Sequence, residues 1–101
     1  MICRIWHAYT TPENADQYEK LQKKEVLPSI HRLAGYKGAQ LLRRDLPEEV
    51  EFISITYFER QSDLVAFAGE DYTQAVVVDE ARKLLKRFDQ RSKHYKVFDV
   101  D

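Results

Sequence analysis

Residues 50–58, VEFISITYF, decide the fold of this 101-residue chain. β-branched and aromatic residues dominate the stretch, as is typical of a β-strand, in which alternate side chains point to opposite faces of the sheet. Its apolar residues fall on both faces: Val50, Phe52 and Phe58 on one, and Ile53, Ile55 and Tyr57 on the other. An antiparallel strand with one face in water alternates between apolar and polar residues. This stretch is therefore predicted to be covered on both faces.

Three further strands are predicted around this one. Residues 36–44 have the composition of a strand and precede it by a five-residue connection, 45–49, so the two are predicted to be antiparallel neighbours. Residues 92–100 are predicted to be the last strand. Residues 2–9 are predicted to be the first, with two half-apolar faces: Ile2, Arg4, Trp6, Ala8 and Cys3, Ile5, His7, Tyr9.

The first helical region is predicted to begin at one of two threonines. Thr11 can cap it with Pro12 in the first turn, where a missing amide costs no hydrogen bond; a cap at Thr10 would instead form a capping box with Glu13. Pro28 is predicted to end or kink the helix. The predicted buried side carries Ala15, Tyr18, Leu21 and Val26.

Residues 29–33 can add one more helical turn before the chain extends again. A second helix is predicted to be capped by Ser62 or Asp63 and to end at Gly69. Two more helical pieces are predicted: residues 72–77 and 80–88.

The resulting order, βαββαβ, is that of a ferredoxin-like, two-layer α+β subunit with a four-stranded antiparallel sheet. Right-handed crossovers place strand one between strands three and four, with both helices on one face. The chain length fits one domain, residues 1–101. The bare sheet face is predicted to pair with that of a second copy, which gives a homodimer and a dimeric α+β barrel.

Composition and charge exclude several classes of partner. Sixteen Lys and Arg against 17 Asp and Glu leave no basic surface for a phosphate backbone, so nucleic acid is not expected. No apolar run approaches the ~18 residues of a membrane span, and the N-terminus does not resemble a signal peptide, so no membrane association is expected. Cys3 is the only cysteine, which favours a reducing cytoplasm.

Five sequence features resemble one known family: Ile2-Cys3-Arg4-Ile5-Trp6-His7 in strand one, Pro28 followed by Gly35, Phe58 nine residues before Phe67, Phe67-Ala68-Gly69-Glu70-Asp71 at the end of helix two, and His94-Tyr95 in the last strand. Over its whole length the chain resembles the antibiotic biosynthesis monooxygenase family of dimeric α+β barrel proteins. The resemblance implies a homodimer with a pocket between sheet and helices for a flat, hydrophobic molecule. Some members oxidise aromatic polyketides with dioxygen and no metal or flavin, and others degrade haem.

Three positions depart from those enzymes. The polyketide oxidisers have a Trp at the end of strand three and an Asn four residues earlier, where this chain has Phe58 and Ser54. The haem degraders use an Asn in strand one, where this chain has Trp6, and a His in the second helical region, whereas residues 59–88 here contain no His. Neither set of roles carries over, and haem degradation of that kind is not expected.

The candidate catalytic residues are His94 and, second, His7. Imidazole titrates near neutral pH and could take a proton from a phenol or an activated carbon; the alternative is that both are surface or hydrogen-bonded structural residues. With His31 they are the only histidines, and their spacing fits no metal motif, so neither a metal nor a cofactor is predicted.

Four aromatic residues are predicted to bind substrate, because pockets for planar molecules are lined by such side chains: Trp6, Tyr57, Phe58 and Phe67. The alternative is that they fill the core and the dimer interface. Two functions follow: a cofactor-independent monooxygenase of an aromatic or polyketide-like small molecule, or a non-catalytic dimeric module that binds a small hydrophobic ligand or serves as a structural barrel.

Overall fold

A computed structural model describes residues 1–26, 28 and 30–101. Its strands are β1 (Ile2–Thr10), β2 (Tyr36–Asp45), β3 (Val50–Phe58), β4 (Leu85–Phe88) and β5 (Lys93–Lys96). Its α-helices are α1 (Ala15–Leu21), α2 (Ser62–Ala68) and α3 (Asp79–Leu84), and α1 lies between a 3-10 turn (Pro12–Asn14) and a π-helical turn (Gln22–Val26). None of the helices in the described ranges is long and apolar enough to span a membrane.

The strands form one antiparallel sheet in the order β2-β3-β1-β4, with β5 also paired to β1. β1 and β3 pair along their whole length, from Ile2 opposite Phe58 to Thr10 opposite Val50. The predicted α+β, ferredoxin-like architecture is confirmed, with β1 at the centre of the sheet as the right-handed crossovers require.

The sheet has five strands rather than four, because the last predicted strand is shorter and a new strand precedes it. Residues 85–88 were predicted to be helical, but α3 ends at Leu84 and the chain is extended from Leu85 onward. Because this segment pairs with β1, the ring centroids of Phe88 and Trp6 lie 5.6 Å apart. The helix predicted over residues 72–77 is also wrong: the segment forms turns and extended chain with a bridge from Gln74 to Arg91. The β-branched run at 76–78 favours that extended form.

The start of the first helical region follows the Thr11 alternative. The Thr11 hydroxyl accepts a hydrogen bond from the Asn14 amide at 3.3 Å, with Pro12 in the first turn. The extra turn predicted at 29–33 includes Ser29, which lies outside the described residues. Within the rest of that segment, the Leu33 amide donates to the Ile30 carbonyl at 3.1 Å.

Helix α2 begins differently from the prediction and ends as predicted. Gln61 occupies the N-cap position, so capping by Ser62 or Asp63 is wrong. The Asp63 carboxylate instead accepts from the Arg60 amide at 3.1 Å, one residue before the cap. Gly69 ends the helix with a φ of 87°, a conformation that favours glycine.

The helices cover one face of the sheet, called the inner face. The core there joins Ala15 and Tyr18 of α1 and Ala81 of α3 to residues of β1 and β3. The rings of Tyr18 and Phe52 meet edge to face, with centroids 4.8 Å apart. Phe52 is fully buried, and truncation of such a side chain typically costs about 3–5 kcal/mol. The opposite face is called the outer face, and its side chains on β3 are only half-buried.

Candidate functional site

A cavity of about 110 Å³ lies between the inner face of the sheet and the helices. Its floor is formed by β1 and β3 and consists of Arg4, Trp6, Ser54 and Thr56. Arg4 lies opposite Thr56, and Trp6 lies opposite Ser54, in the β1–β3 ladder. The floor therefore places one cation and two hydroxyl groups beside a large aromatic ring.

The walls and roof of the cavity are mainly apolar. The π-helical turn contributes Gln22 and Val26, and π-helical turns frequently occur at functional sites. The remaining wall residues come from several segments: Ile30, Phe67, Val76, Val78 and Ser92. Apolar lining with a few placed polar groups is the usual composition of a small-molecule site.

The guanidinium of Arg4 is buried against backbone carbonyls rather than carboxylates. Arg4 is only 4% exposed. Its Nη1 donates to the Tyr72 carbonyl and, at 3.0 Å, to Nε2 of His94, and its Nη2 donates to the Gln74 carbonyl at 2.7 Å. The ring of Phe67 packs against it, with the guanidinium carbon 5.3 Å from the ring centroid. The loop at 72–74 thus fixes the cation at the cavity floor.

Burial lowers the pKa of Arg4 from its ordinary 12.5 to about 10, because a charge is less stable away from water. The side chain still carries its proton at neutral pH. Among the ion pairs of the described residues, none involves Arg4. The cavity floor therefore contains a buried positive charge that no carboxylate of the described residues neutralises.

Two buried hydroxyl groups next to the cavity lack hydrogen-bond partners. The Oγ1 of Thr56 and the Oγ of Ser92 make no hydrogen bond in the described part of the chain, although the two residues are only 6% and 4% exposed. An unsatisfied buried polar group typically costs about 1–3 kcal/mol. Such groups are uncommon in native proteins, and a bound ligand or water is one way to supply the missing partner.

Trp6 is held rigidly at the floor. Its indole Nε1 donates to the Asp89 carbonyl at 2.6 Å, and its ring contacts Phe88 on the adjacent strand. It is the only Trp of the chain. Its orientation is thus set by β4 and by the residue that follows it.

The structure brings four of the six predicted site residues to the inner side. Trp6 and Phe67 line the cavity. Phe58 packs behind Phe67, with ring centroids 5.8 Å apart. His94 lies opposite Arg4 on β5 and touches it. Because arginine has only donors, His94 Nε2 must be the acceptor in this contact, and its free electron pair is engaged.

His7 and Tyr57 lie on the outer face, away from the cavity. His7 Nδ1 is 3.4 Å from the Glu51 carboxylate, and the Tyr57 hydroxyl donates to Gln40 at 2.8 Å. Strand alternation explains the separation, since positions 7 and 57 have the opposite parity to positions 6 and 56. The roles predicted for these two residues remain predictions.

Burial and the charge of Arg4 lower the pKa of His94 below its ordinary 6.5. His94 is therefore neutral at physiological pH. A neutral imidazole can accept a proton, but here the accepting nitrogen faces a cation.

Sequence reasoning did not single out Arg4, Thr56 or Ser92. A signal existed for Arg4, which is a charged residue in the middle of a strand face otherwise formed by Ile2, Trp6 and Ala8. No signal marked the two hydroxyl residues, because Ser and Thr are common in strands and loops. The described residues contain no group of three or more His, Cys, Asp or Glu side chains that could hold a metal ion.

No family model matches the chain, and no curated protein matches it. Among solved structures, a provisionally named antibiotic biosynthesis monooxygenase from Deinococcus radiodurans superposes with a TM-score of 0.71 at 14% identity, over 100% of this chain and 96% of that chain. A haem degrader from Mycobacterium tuberculosis, MhuD, with two haems bound in its active site, has a TM-score of 0.64 at 17% identity, over 100% of both chains.

A second provisionally named antibiotic biosynthesis monooxygenase, from Bacillus cereus, has a TM-score of 0.64 at 9% identity, over 99% of this chain and 93% of that chain. Identities this low establish the fold and not the activity. The resemblance inferred from the sequence is confirmed at that level: the chain has the fold of antibiotic biosynthesis monooxygenase proteins.

Proposed function

We propose that this protein binds a small aromatic molecule in the cavity beneath its helices and oxidises it with dioxygen, without a metal or an organic cofactor. The observation that carries the proposal is the cavity itself, with the fixed indole of Trp6 on its floor and Phe67 on its wall. The fold supports it, since proteins named as monooxygenases superpose on the whole chain.

The size of the cavity limits the ligand. A cavity of about 150 Å³ lined by apolar side chains is enough to bind benzene, and the cavity here measures about 110 Å³. A volume of this order therefore suits a single ring. A larger polyketide-like molecule requires the wall at Val76 and Val78, which belongs to an extended segment between helices, to move outward.

The proposed reaction needs only substrate and dioxygen. An activated CH₂ group of the substrate loses a proton, and the resulting carbanion transfers electrons to dioxygen. One oxygen atom enters the product as a carbonyl, and the other leaves as water, so the CH₂ carbon is oxidised as the dioxygen is reduced. The contribution of the protein is to orient the ring and to exclude water from the reactive intermediate.

His94 is the proposed base, with one geometric condition. Its Nε2 accepts from Arg4, so a substrate must displace that contact before the imidazole can take a proton. His94→Gln keeps an acceptor for Arg4 and removes the base. Loss of turnover with retained binding would support the base role, and unchanged turnover would exclude it.

Haem is a poor fit to this cavity as a substrate. The cavity of about 110 Å³ has room for about one ring and not for a tetrapyrrole, and His94, a histidine beside the cavity, already has its Nε2 engaged by Arg4. A haemin titration followed by absorbance is expected to show no specific shift of the Soret band. A saturable one-to-one shift would make haem the ligand.

A second candidate function is ligand binding without catalysis. Ser54 and Phe58 stand where the polyketide oxidisers of the resembling family have Asn and Trp, and this departure favours a binding module. Both functions predict occupancy of the same cavity, and only turnover separates them.

The outer face is proposed to pair with that of a second copy, which makes the working unit a homodimer. Its apolar side chains form a continuous surface across four strands: Ile5, Leu42, Ile53, Ile55, Tyr57 and Tyr95. Leu42 and Tyr95 are 45% and 49% exposed, and stable monomers rarely leave such a patch open. The single buried thiol, Cys3, suits a reducing compartment, and we place the protein in the cytoplasm.

Oxygen uptake with anthrone-like and quinol substrates tests the proposal. Catalysis requires substrate-dependent consumption that falls when Trp6→Leu alters the cavity floor. The matched control is Phe98→Leu, which removes an aromatic residue that is 77% exposed and does not line the cavity. No uptake with any substrate, together with tight ligand binding, would establish the binding module instead.

A further inference from the structure

Arg4 differs from the other well-contacted arginines of the chain in lacking an acidic partner. Arg43, Arg44, Arg87 and Arg91 each contact a carboxylate, and their side chains are 26–69% exposed. Arg4, at 4% exposed, has only neutral partners among the described residues. Burial of a charge without a counter-charge raises the free energy of the folded state, and this cost applies to Arg4 and not to the four paired arginines.

The hydrogen bonds of Arg4 leave two of its five N–H groups without an acceptor among the described residues. The group has five N–H donors, and three are used: two of Nη1, toward Tyr72 and His94, and one of Nη2, toward Gln74. Nε and the second N–H of Nη2 have no acceptor among the described residues. Nε and Nη2 lie along one edge of the planar group, and this paired arrangement is the one that binds both oxygens of a carboxylate.

Thr56 and Ser92 add two hydroxyl groups to the lining of the same cavity. Thr56 lies directly opposite Arg4 on β3, and His94 lies opposite it on β5. Ser92 immediately precedes β5. Both hydroxyls are buried and lack partners, and both residues line the cavity. Rotation of a hydroxyl-bearing side chain toward an anionic oxygen would satisfy it. The remaining wall, with Phe67, accommodates an apolar ring.

We propose that the ligand of this cavity carries an anionic oxygen group on an aromatic ring, a carboxylate or a phenolate, and that Arg4 binds this group with help from Thr56 and Ser92. The inference rests on the proposed function only in taking the cavity as the ligand site, and it holds for a catalyst or a binding module. Burial that lowers the pKa of Arg4 to about 10 leaves it charged at neutral pH, so the attraction is present under ordinary conditions.

Isothermal titration calorimetry with matched probes tests the proposal. Benzoate is compared with benzamide, which has the same ring and a neutral group, and 4-nitrophenolate provides the phenolate arm. We expect at least one anion to bind tenfold or more tightly than benzamide, and the tighter anion identifies the oxygen group. Equal affinity for the neutral and anionic probes would overturn the proposal while leaving an aromatic-binding cavity.

Two variants test whether Arg4 causes the tighter binding of the anionic probes. Arg4→Gln is expected to abolish the preference for the anion and to leave benzamide binding unchanged, whereas Arg60→Gln, the same change at an exposed position, keeps it. If Arg4→Gln does not fold, Ser92→Ala keeps the cation and is expected to reduce the preference several-fold. An anion preference that survives these changes would place the anion elsewhere and overturn the proposal. Binding of no probe would contradict both this inference and the proposed ligand site.

Discussion

Thr56→Val should make the ligand-free protein more stable. The Thr56 side chain is 6% exposed, and its Oγ1 lacks a partner in the described part of the chain. A buried hydroxyl without a partner costs about 1–3 kcal/mol, and valine has nearly the same shape without that cost. We therefore expect the free energy of unfolding to rise by about 1–2 kcal/mol. For a domain of this size, each kcal/mol raises the Tm by about 4–8 °C.

Urea unfolding measures this change, with an unchanged m-value showing that the unfolded state is the same. Thr10→Val is the matched control: its hydroxyl is also buried and unpartnered, but Thr10 does not line the cavity. Both variants should gain stability, and only Thr56→Val should weaken binding of an aromatic anion. If Thr56→Val lowers the free energy of unfolding, its hydroxyl is already satisfied, and the reasoning fails.

Three further predictions concern the fold, pH and assembly. Gly35→Ala should lower the free energy of unfolding more than Gly69→Ala. Both glycines have a positive φ, but a Cβ at Gly35 would lie 1.9 Å from the Asp63 carboxylate. Urea midpoints measure the two losses of stability, and equal losses would exclude the clash. The free energy of unfolding should fall as the pH drops below 6.5, because folding lowers the pKa of His94 and the unfolded chain therefore binds more protons. His94→Gln should reduce this dependence on pH in acid titrations followed by circular dichroism. An unchanged dependence would assign it to other groups. Ile55→Asp on the outer face should halve the mass found by light scattering, and a monomeric wild type would contradict the proposed dimer.

The burial of β3 could be predicted from the sequence, because alternate side chains of a strand point to opposite faces of the sheet. Val50 and Phe52 are two positions apart in the nine-residue strand and therefore point to the same face, so their spacing predicts that this face is covered. The hairpin with β2 followed from its short connection. The cover of the outer face by a second copy stays a prediction, because it depends on residues outside this chain.

The segment at 85–88 misled the prediction because its pattern fits two structures. Apolar residues at positions 81, 84, 85 and 88 have helical spacing, yet the same Leu85 and Phe88 also suit a short strand. Pairing with β1 and the contact between Phe88 and Trp6 decide in favour of the strand. Such tertiary contacts are not visible in local sequence.

The cavity could be predicted only in part for the same reason. Trp6 and Phe67 were found from residue type, but the two faces of β1 are nearly equal in apolar content, so the sequence did not decide which faces the helices. That choice buries Arg4 and places Thr56 and His94 on either side of it. The register of three strands, and not any one motif, creates the charged floor of the cavity.

The central claim, that the cavity between sheet and helices holds the ligand, can be tested through the single Trp of the chain. In a ¹H–¹⁵N NMR titration with benzoate, the one indole cross-peak of Trp6 should move and saturate, together with amides of β1, β3 and residues 76–78. Amides of the β2–β3 connection, 46–49, should stay in place. An indole signal that remains fixed while other regions respond would contradict the claim.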